Sequence, residues 1–258
     1  MKPLSEFIKE ALRVVELAKD AEITLRIMGA CAVRIHCTRY EYLFEKLSRE
    51  LTDIDFCSYS KFKPNMRKFF EELGYKPREY MFRYWERAGL PREIYDDEKN
   101  QRTVDVFYDE LSMCHKINFR GRLELDYPTI TLSDLLLEKM QIVKLNEKDV
   151  KDMIILLREH DIAEKEEKEM INGKYIATLL SKDWCFYYTV TTNLKRVRDF
   201  SKSYKALTRE DLDDVSLKVD HLLQIIEETP KSLKWKVRQK IGTKVKWYTE
   251  VEEVPYPR

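Results

Sequence analysis

An α+β fold is predicted by three features of the sequence. Short alternating polar and apolar runs occupy the first half, helical periodicities dominate the second, and aromatic residues are frequent enough to build a core between them. The 15 Tyr, 11 Phe and 4 Trp supply far more core-forming surface than a disordered chain carries, although 36% of the residues are charged. A chain of 258 residues has room for one large domain or two modest ones. The net charge of +1 gives no global attraction to nucleic acid, so any such binding needs a local patch. The five cysteines are odd in number and scattered, which disfavours zinc and disulfide frameworks. No stretch joins a basic start to an apolar run, and none approaches the roughly 18 apolar residues that span a bilayer. The expectation is a soluble, cytoplasmic protein with reduced thiols and no membrane partner.

The elements follow in order. Leu4, Ile8, Leu12, Val15 and Ala18 recur at helical spacing, predicting an amphipathic helix over residues 4–18. Ile23 to Met28 reads as a short strand, Gly29 as a sharp turn, and a helix starts at about Ala30. Asp53-Ile54-Asp55-Phe56-Cys57 alternates as a strand does, which points Asp53 and Asp55 the same way. Residues 65–73 form a helix ending at Gly74. Thr103 to Tyr108 is a further strand with Asp105 in its middle, and Arg83 to Arg102, with Gly89 and Pro91, reads as a loop or hairpin excursion. After Pro128 helices take over: Ser133 to Leu145, Glu147 to Glu159, 172–200 and 209–228. The last opens with Thr208 as N-cap and Asp211 three residues on, and Pro230 ends it. The Lys/Glu run 164–169 reads as a solvated helix start or a linker. This shift in character places a boundary near residue 128, between units 1–128 and 129–258.

Three carboxylates stand out. Asp is disfavoured in strands, yet Asp53, Asp55 and Asp105 sit in runs with apolar neighbours, where their charges repel unless a cation lies between them. Two carboxylates at i and i+2 on one strand and a third on a neighbouring strand suit Mg2+ or Mn2+, hard cations that take oxygen ligands and commonly bind substrate phosphates.

Several motifs, in order, resemble the nucleotidyltransferase superfamily and within it the AbiEii-like toxin branch. Ile27-Met28-Gly29-Ala30-Cys31-Ala32-Val33-Arg34 is similar to the strand, glycine turn and helix that open its catalytic core. Thr52-Asp53-Ile54-Asp55-Phe56 is similar to its paired-aspartate strand, and Asp105 in Thr-Val-Asp-Val-Phe to its third carboxylate. Leu135-Leu136-Leu137-Glu138-Lys139-Met140 and Lys148-Asp149-Val150-Lys151-Asp152-Met153 look like the branch's Glu-Lys and Lys-Asp-x-x-Asp helical motifs. The resemblance covers about residues 22–158. It implies a mixed-sheet catalytic core with flanking helices, followed by a helical C-terminal domain. It also implies transfer of a nucleoside monophosphate from a nucleoside triphosphate to a hydroxyl of an RNA end or a protein side chain. Asp53, Asp55 and Asp105 would be the catalytic metal ligands, and Gly29, Ala30, Lys139, Lys148, Asp149 and Asp152 the nucleotide site. The family's second glycine or serine is Ala30 here, which removes a hydroxyl but keeps the N–H donors of the helix start. Arg49 stands at a basic position ahead of the aspartates, with loose spacing.

Other readings of the same residues stay open. Lys139 is a point charge suited to phosphate or one half of a surface Glu-Lys pair, and Asp149 and Asp152 share a helix face either at the site or in a surface ion-pair set with Lys148 and Lys151. His36, His115, His160 and His221 show no metal spacing. The tail interleaves Lys231, Lys234, Lys236, Arg238, Lys240, Lys244 and Lys246 with Trp235, Trp247 and Tyr248. That pattern serves single-stranded nucleic acid, or a helix and strand whose Trp rings close a core. A catalytically silent nucleotide- or RNA-binding module of the same fold is the alternative, motivated by Ala30.

Overall fold

The computed structural model describes residues 5–79 and 92–251. Helix α1 (Glu6–Asp20) is started by Ser5, whose hydroxyl accepts the Ile8 N–H, and lies against β1 (Leu25–Met28). Gly29 then turns the chain directly into α2 (Gly29–His36), which is followed by the short α3 (Tyr42–Lys46). Next come β2 (Ile54–Ser58), α4 (Lys63–Glu72), β3 (Lys76–Pro77), β4 (Arg92–Asp97) and β5 (Arg102–Tyr108). These strands form one mixed sheet in the order β1-β2-β5-β4-β3, in which only β2 and β5 run parallel. Asp53 lies just ahead of β2 instead of inside it, because the ladder to β5 begins at Ile54↔Val104.

The sheet has two unlike faces. Phe56, Val104, Val106 and Tyr95 share one, since they alternate with the aspartates along their strands. Phe70 of α4 closes that face by stacking on Tyr95, ring centroids 4.4 Å apart, and by meeting Phe56 at 6.4 Å. Asp55, Asp105 and Ile94 lie across the other face. β4 is where a loop or hairpin excursion was expected. Its charges hide a strand whose six residues all pair with β5, and residues 83–91 of the expected excursion lie outside the described residues.

A hairpin, β6 (Glu110–Ser112) with β7 (Lys116–Asn118), precedes a segment that runs along β1. There the Ile27 N–H donates to the Pro128 carbonyl and the Ile130 N–H to the Ile27 carbonyl. This fixes the start of α5 (Leu132–Met140), and α6 (Glu147–Glu159) packs on α5 and α2. α5 stops five residues earlier than the periodicity suggests, because Asn193 Nδ2 takes the carbonyls of Met140 and Ile142, at 2.9 and 2.7 Å. β8 (Asp161–Ala163) and β9 (Met170–Asn172) form a short parallel pair, and the Lys/Glu run 164–169 is the connection between them. The single helix expected over 172–200 is two, α7 (Gly173–Leu180) and α8 (Trp184–Ser201). Asp183 separates them by accepting the N–H groups of Cys185 and Phe186 as the N-cap of the second. α9 (Arg209–Glu228) has the expected reciprocal cap between Thr208 and Asp211, and α10 (Leu233–Ile241) follows. The chain is therefore α+β, with a mixed sheet and ten α-helices among the described residues. No helix in them is long and apolar enough to cross a membrane.

Phe70 is fully buried between β2, β4 and α4. Phe70→Ala is expected to lower unfolding free energy by about 3–5 kcal/mol, the usual cost of an aromatic-sized cavity, read from the midpoint of urea denaturation.

Candidate functional site

Asp55 occupies the centre of the polar face. Its register partners are Met28 on β1 and Asp105 on β5, so the Asp55 and Asp105 side chains project together. Gly29, the residue after Met28, has φ of +66°, and a Cβ there would overlap Asp55 Oδ2. The glycine is thus required both by the left-handed backbone and by the carboxylate packed against it. Asp53 accepts the Thr52 hydroxyl at 3.1 Å and is the leading like charge acting on Asp55.

The second half of the site comes from α5 and α6. The Gly29 N–H donates to Glu138 Oε2 at 3.0 Å, and Glu138 Oε1 is 3.4 Å from Lys139 Nζ. Lys139 Nζ is also 3.4 Å from Asp152 Oδ2 and 3.8 Å from Asp149 Oδ1. Arg49 clamps Asp152 with two parallel bonds, Nε to Oδ1 at 2.7 Å and Nη2 to Oδ2 at 2.8 Å. On the sheet side Arg92 Nη2 donates to Asp105 Oδ2, while Asp105 Oδ1 is buried with no hydrogen-bond partner among the described residues. Among the described residues, the carboxylates of Asp53, Asp55, Asp105, Glu138, Asp149 and Asp152 therefore neighbour one another, with Arg49, Arg92 and Lys139 as the cations paired to them.

Burial first, and neighbouring charges second, set the protonation behaviour. Burial pushes the Asp55 carboxyl well above the usual carboxylate range, and the neighbouring charges of Asp53, Asp105 and Glu138 push the same way. Burial also raises Asp105 against the opposing Arg92, and raises Glu138 and Asp149 against the opposing Lys139. Burial alone would lower the Lys139 ammonium, but Glu138, Asp152 and Asp149 outweigh it and hold the cation charged.

Of the residues singled out in the sequence, Gly29, Asp53, Asp55, Asp105, Lys139, Asp149 and Asp152 come together, and Ala30 is buried next to Gly29 as the second residue of α2. Lys148 does not join them. It lies on the exposed side of α6, one helical step from Asp149, while Lys151 pairs with Glu147 at 2.9 Å. Among the described residues no three His, Cys, Asp or Glu side chains stand in the geometry of a ready metal site, so the three aspartates are neighbours without being a gathered ligand set. Their donor chemistry fits a hard divalent cation nonetheless, because all the donors are carboxylate oxygens and Asp105 Oδ1 has no hydrogen-bond partner among the described residues.

Glu138, Arg92 and Arg49 are site residues that sequence reasoning did not assign. Glu138 ends the Leu135–Leu137 run of α5, in the Glu-Lys motif quoted above. Arg92 sits in the stretch that looks like a loop. Three of the histidines are engaged in packing. His36 Nε2 meets Thr129 Oγ1 at 2.6 Å, His115 stacks on Phe186 at 5.0 Å, and His160 Nε2 meets Cys37 Sγ at 3.7 Å. All five cysteines are unpaired. In the tail both Trp rings pack on the protein: Trp235 is buried against Tyr187, and Trp247 Nε1 donates to Thr189 Oγ1 at 3.1 Å. Lys234, Lys236, Lys240, Lys244 and Lys246 remain exposed.

No family model, curated protein or solved structure matches the chain. The site stands on its own residues.

A carboxyl whose folded pKa is raised contributes stability that is present below its unfolded pKa and lost as pH rises through the folded value. Asp55→Asn is therefore expected to raise the melting temperature near pH 7, on the order of 2–4 °C for each kcal/mol of repulsion removed. The gain should shrink toward zero as pH falls below the ordinary aspartate range. Thermal unfolding followed by circular dichroism between pH 4 and 8 reads both effects.

Proposed function

We propose that the chain is a metal-dependent nucleotidyltransferase, which moves a nucleoside monophosphate from a nucleoside triphosphate to a hydroxyl of an RNA end or a protein side chain. The observation that carries this reading is the half-buried to buried cluster of carboxylates around Asp55, which among the described residues outnumber the cations paired with them and leave Asp105 Oδ1 without a hydrogen-bond partner. Such a cluster is costly unless a cation completes it. Asp53, Asp55 and Asp105 would hold Mg2+ or Mn2+, which when bound neutralises phosphate charge and polarises the phosphoryl group.

The chain's own residues have separable tasks in this reading. Asp55, pressed against Gly29, sets the distance between the carboxylates and the glycine turn. Arg92 holds Asp105 by Oδ2, so that Oδ1 is the oxygen left to act. Burial raises the affinity of Asp105 for a proton, a direction that suits Oδ1 to accept the proton of the attacking hydroxyl. Lys139 is tied to Asp149 and Asp152, and Asp152 to Arg49, so the ammonium is held in place ahead of any phosphate.

A second reading, a nucleotide-binding module without transfer, is favoured by Ala30 and by the Glu138 carboxylate on the Gly29 N–H, the donor a phosphate would use. Purified protein incubated with each labelled triphosphate, Mg2+ or Mn2+, and a total RNA and protein extract separates the two. Transfer predicts label on a macromolecule, falling by orders of magnitude in Asp55→Asn while the fold persists. Label retained only as non-covalently bound nucleotide selects the module, and absence of both binding and transfer removes the nucleotide from either reading.

A further inference from the structure

Glu138 is bound by the groups that would bind a substrate phosphate. Its Oε2 accepts the Gly29 N–H at the start of α2, at 3.0 Å, and its Oε1 lies 3.4 Å from the Lys139 ammonium. A backbone N–H at a helix start and a lysine ammonium are the two donor types that most often hold a phosphate oxygen. The carboxylate is largely enclosed, its side chain 10% exposed. On the sheet side of the same cluster, Asp105 Oδ1, on a side chain 3% exposed and paired with Arg92 only through Oδ2, has no hydrogen-bond partner among the described residues. It neighbours Asp55, which touches Gly29.

We infer that Glu138 is an internal stand-in for substrate phosphate, occupying the Gly29 and Lys139 donors until a phosphate group of the nucleotide displaces it, and so setting the affinity of the site for triphosphate. The inference rests on the nucleotide reading above. It gives Glu138 a task beyond tying α5 to α2: without an anion on it, Gly29 would leave a helix-start N–H unsatisfied in a closed site, and Lys139 would lose one of its three carboxylates. Displacement exchanges one anion for another at the same donors, so those donors stay satisfied through binding. It also moves a carboxylate away from Asp55, one of the acids that oppose its ionisation.

The test compares the parent with Glu138→Gln and Glu138→Ala, each shown to be folded by its thermal transition, using inorganic triphosphate with Mg2+ as the probe in titration calorimetry. Glutamine keeps an oxygen for the Gly29 N–H but no charge for Lys139, and alanine empties the position. Triphosphate should therefore bind about tenfold more tightly to the glutamine variant than to the parent, and at least as tightly again to the alanine variant. A purely structural tie predicts the opposite order, because its loss would loosen the glycine turn. Equal or weaker binding by both folded variants, with the parent still binding, overturns the inference and leaves the nucleotide reading in place. If neither parent nor variants bind triphosphate, the nucleotide reading itself falls and takes the inference with it.

Discussion

Parallel pairing of β2 with β5 sets Asp55 beside Asp105 on one face of the sheet, and much of the surrounding structure answers the repulsion this creates. Two carboxylates side by side in a buried sheet are unfavourable without compensation. Arg92 compensates Asp105 from the adjacent strand β4. Gly29 makes room for Asp55 by having no Cβ. Register is what makes these answers necessary, since a slip of one residue would send Asp55 into the aromatic layer of Phe56, Phe70 and Tyr95.

The helices α5 and α6 extend the same electrostatic problem instead of closing it. They bring two cation-centred contacts, Lys139 among Glu138, Asp149 and Asp152, and Arg49 on Asp152, but more acids than bases. A stable fold that wanted only cohesion would bury apolar side chains here, because replacing buried ion pairs by well-packed apolar groups is often neutral or stabilising. The retained charge is thus a poor source of stability, as the site proposed above requires. The apolar face of the sheet, where Phe70 stacks on Tyr95, supplies the cohesion that makes such a site tolerable.

Local signals carried much of the fold. Glu147–Glu159 and Arg209–Glu228 were readable to their ends because each has its own cap and an apolar stripe, and the turn at Gly29 because only glycine suits it. What was misread depended on distant partners. α5 ends where Asn193 takes its carbonyls, 53 residues away from Met140 in sequence, and β4 is a strand because β5 pairs with it despite its charges. In the tail, Trp235 packs on Tyr187 and Trp247 on Thr189 and Tyr188, contacts that no local pattern announces, while the lysines between them stay exposed.

For the site the division is similar. The sequence alone determined which residue types were out of place, the aspartates among strand-forming neighbours and a glycine at the end of a strand, because propensity and alternation are properties of short stretches. It also determined that Asp149 and Asp152 share a helix face. Only the tertiary structure decided that Lys148 stays outside, that Arg49 and Arg92 each hold a carboxylate, and that Glu138 sits on the glycine turn. Those pairings join residues up to 109 positions apart, and their physical cause is the need to match each buried charge with whatever partner the packing of sheet and helices brings within reach.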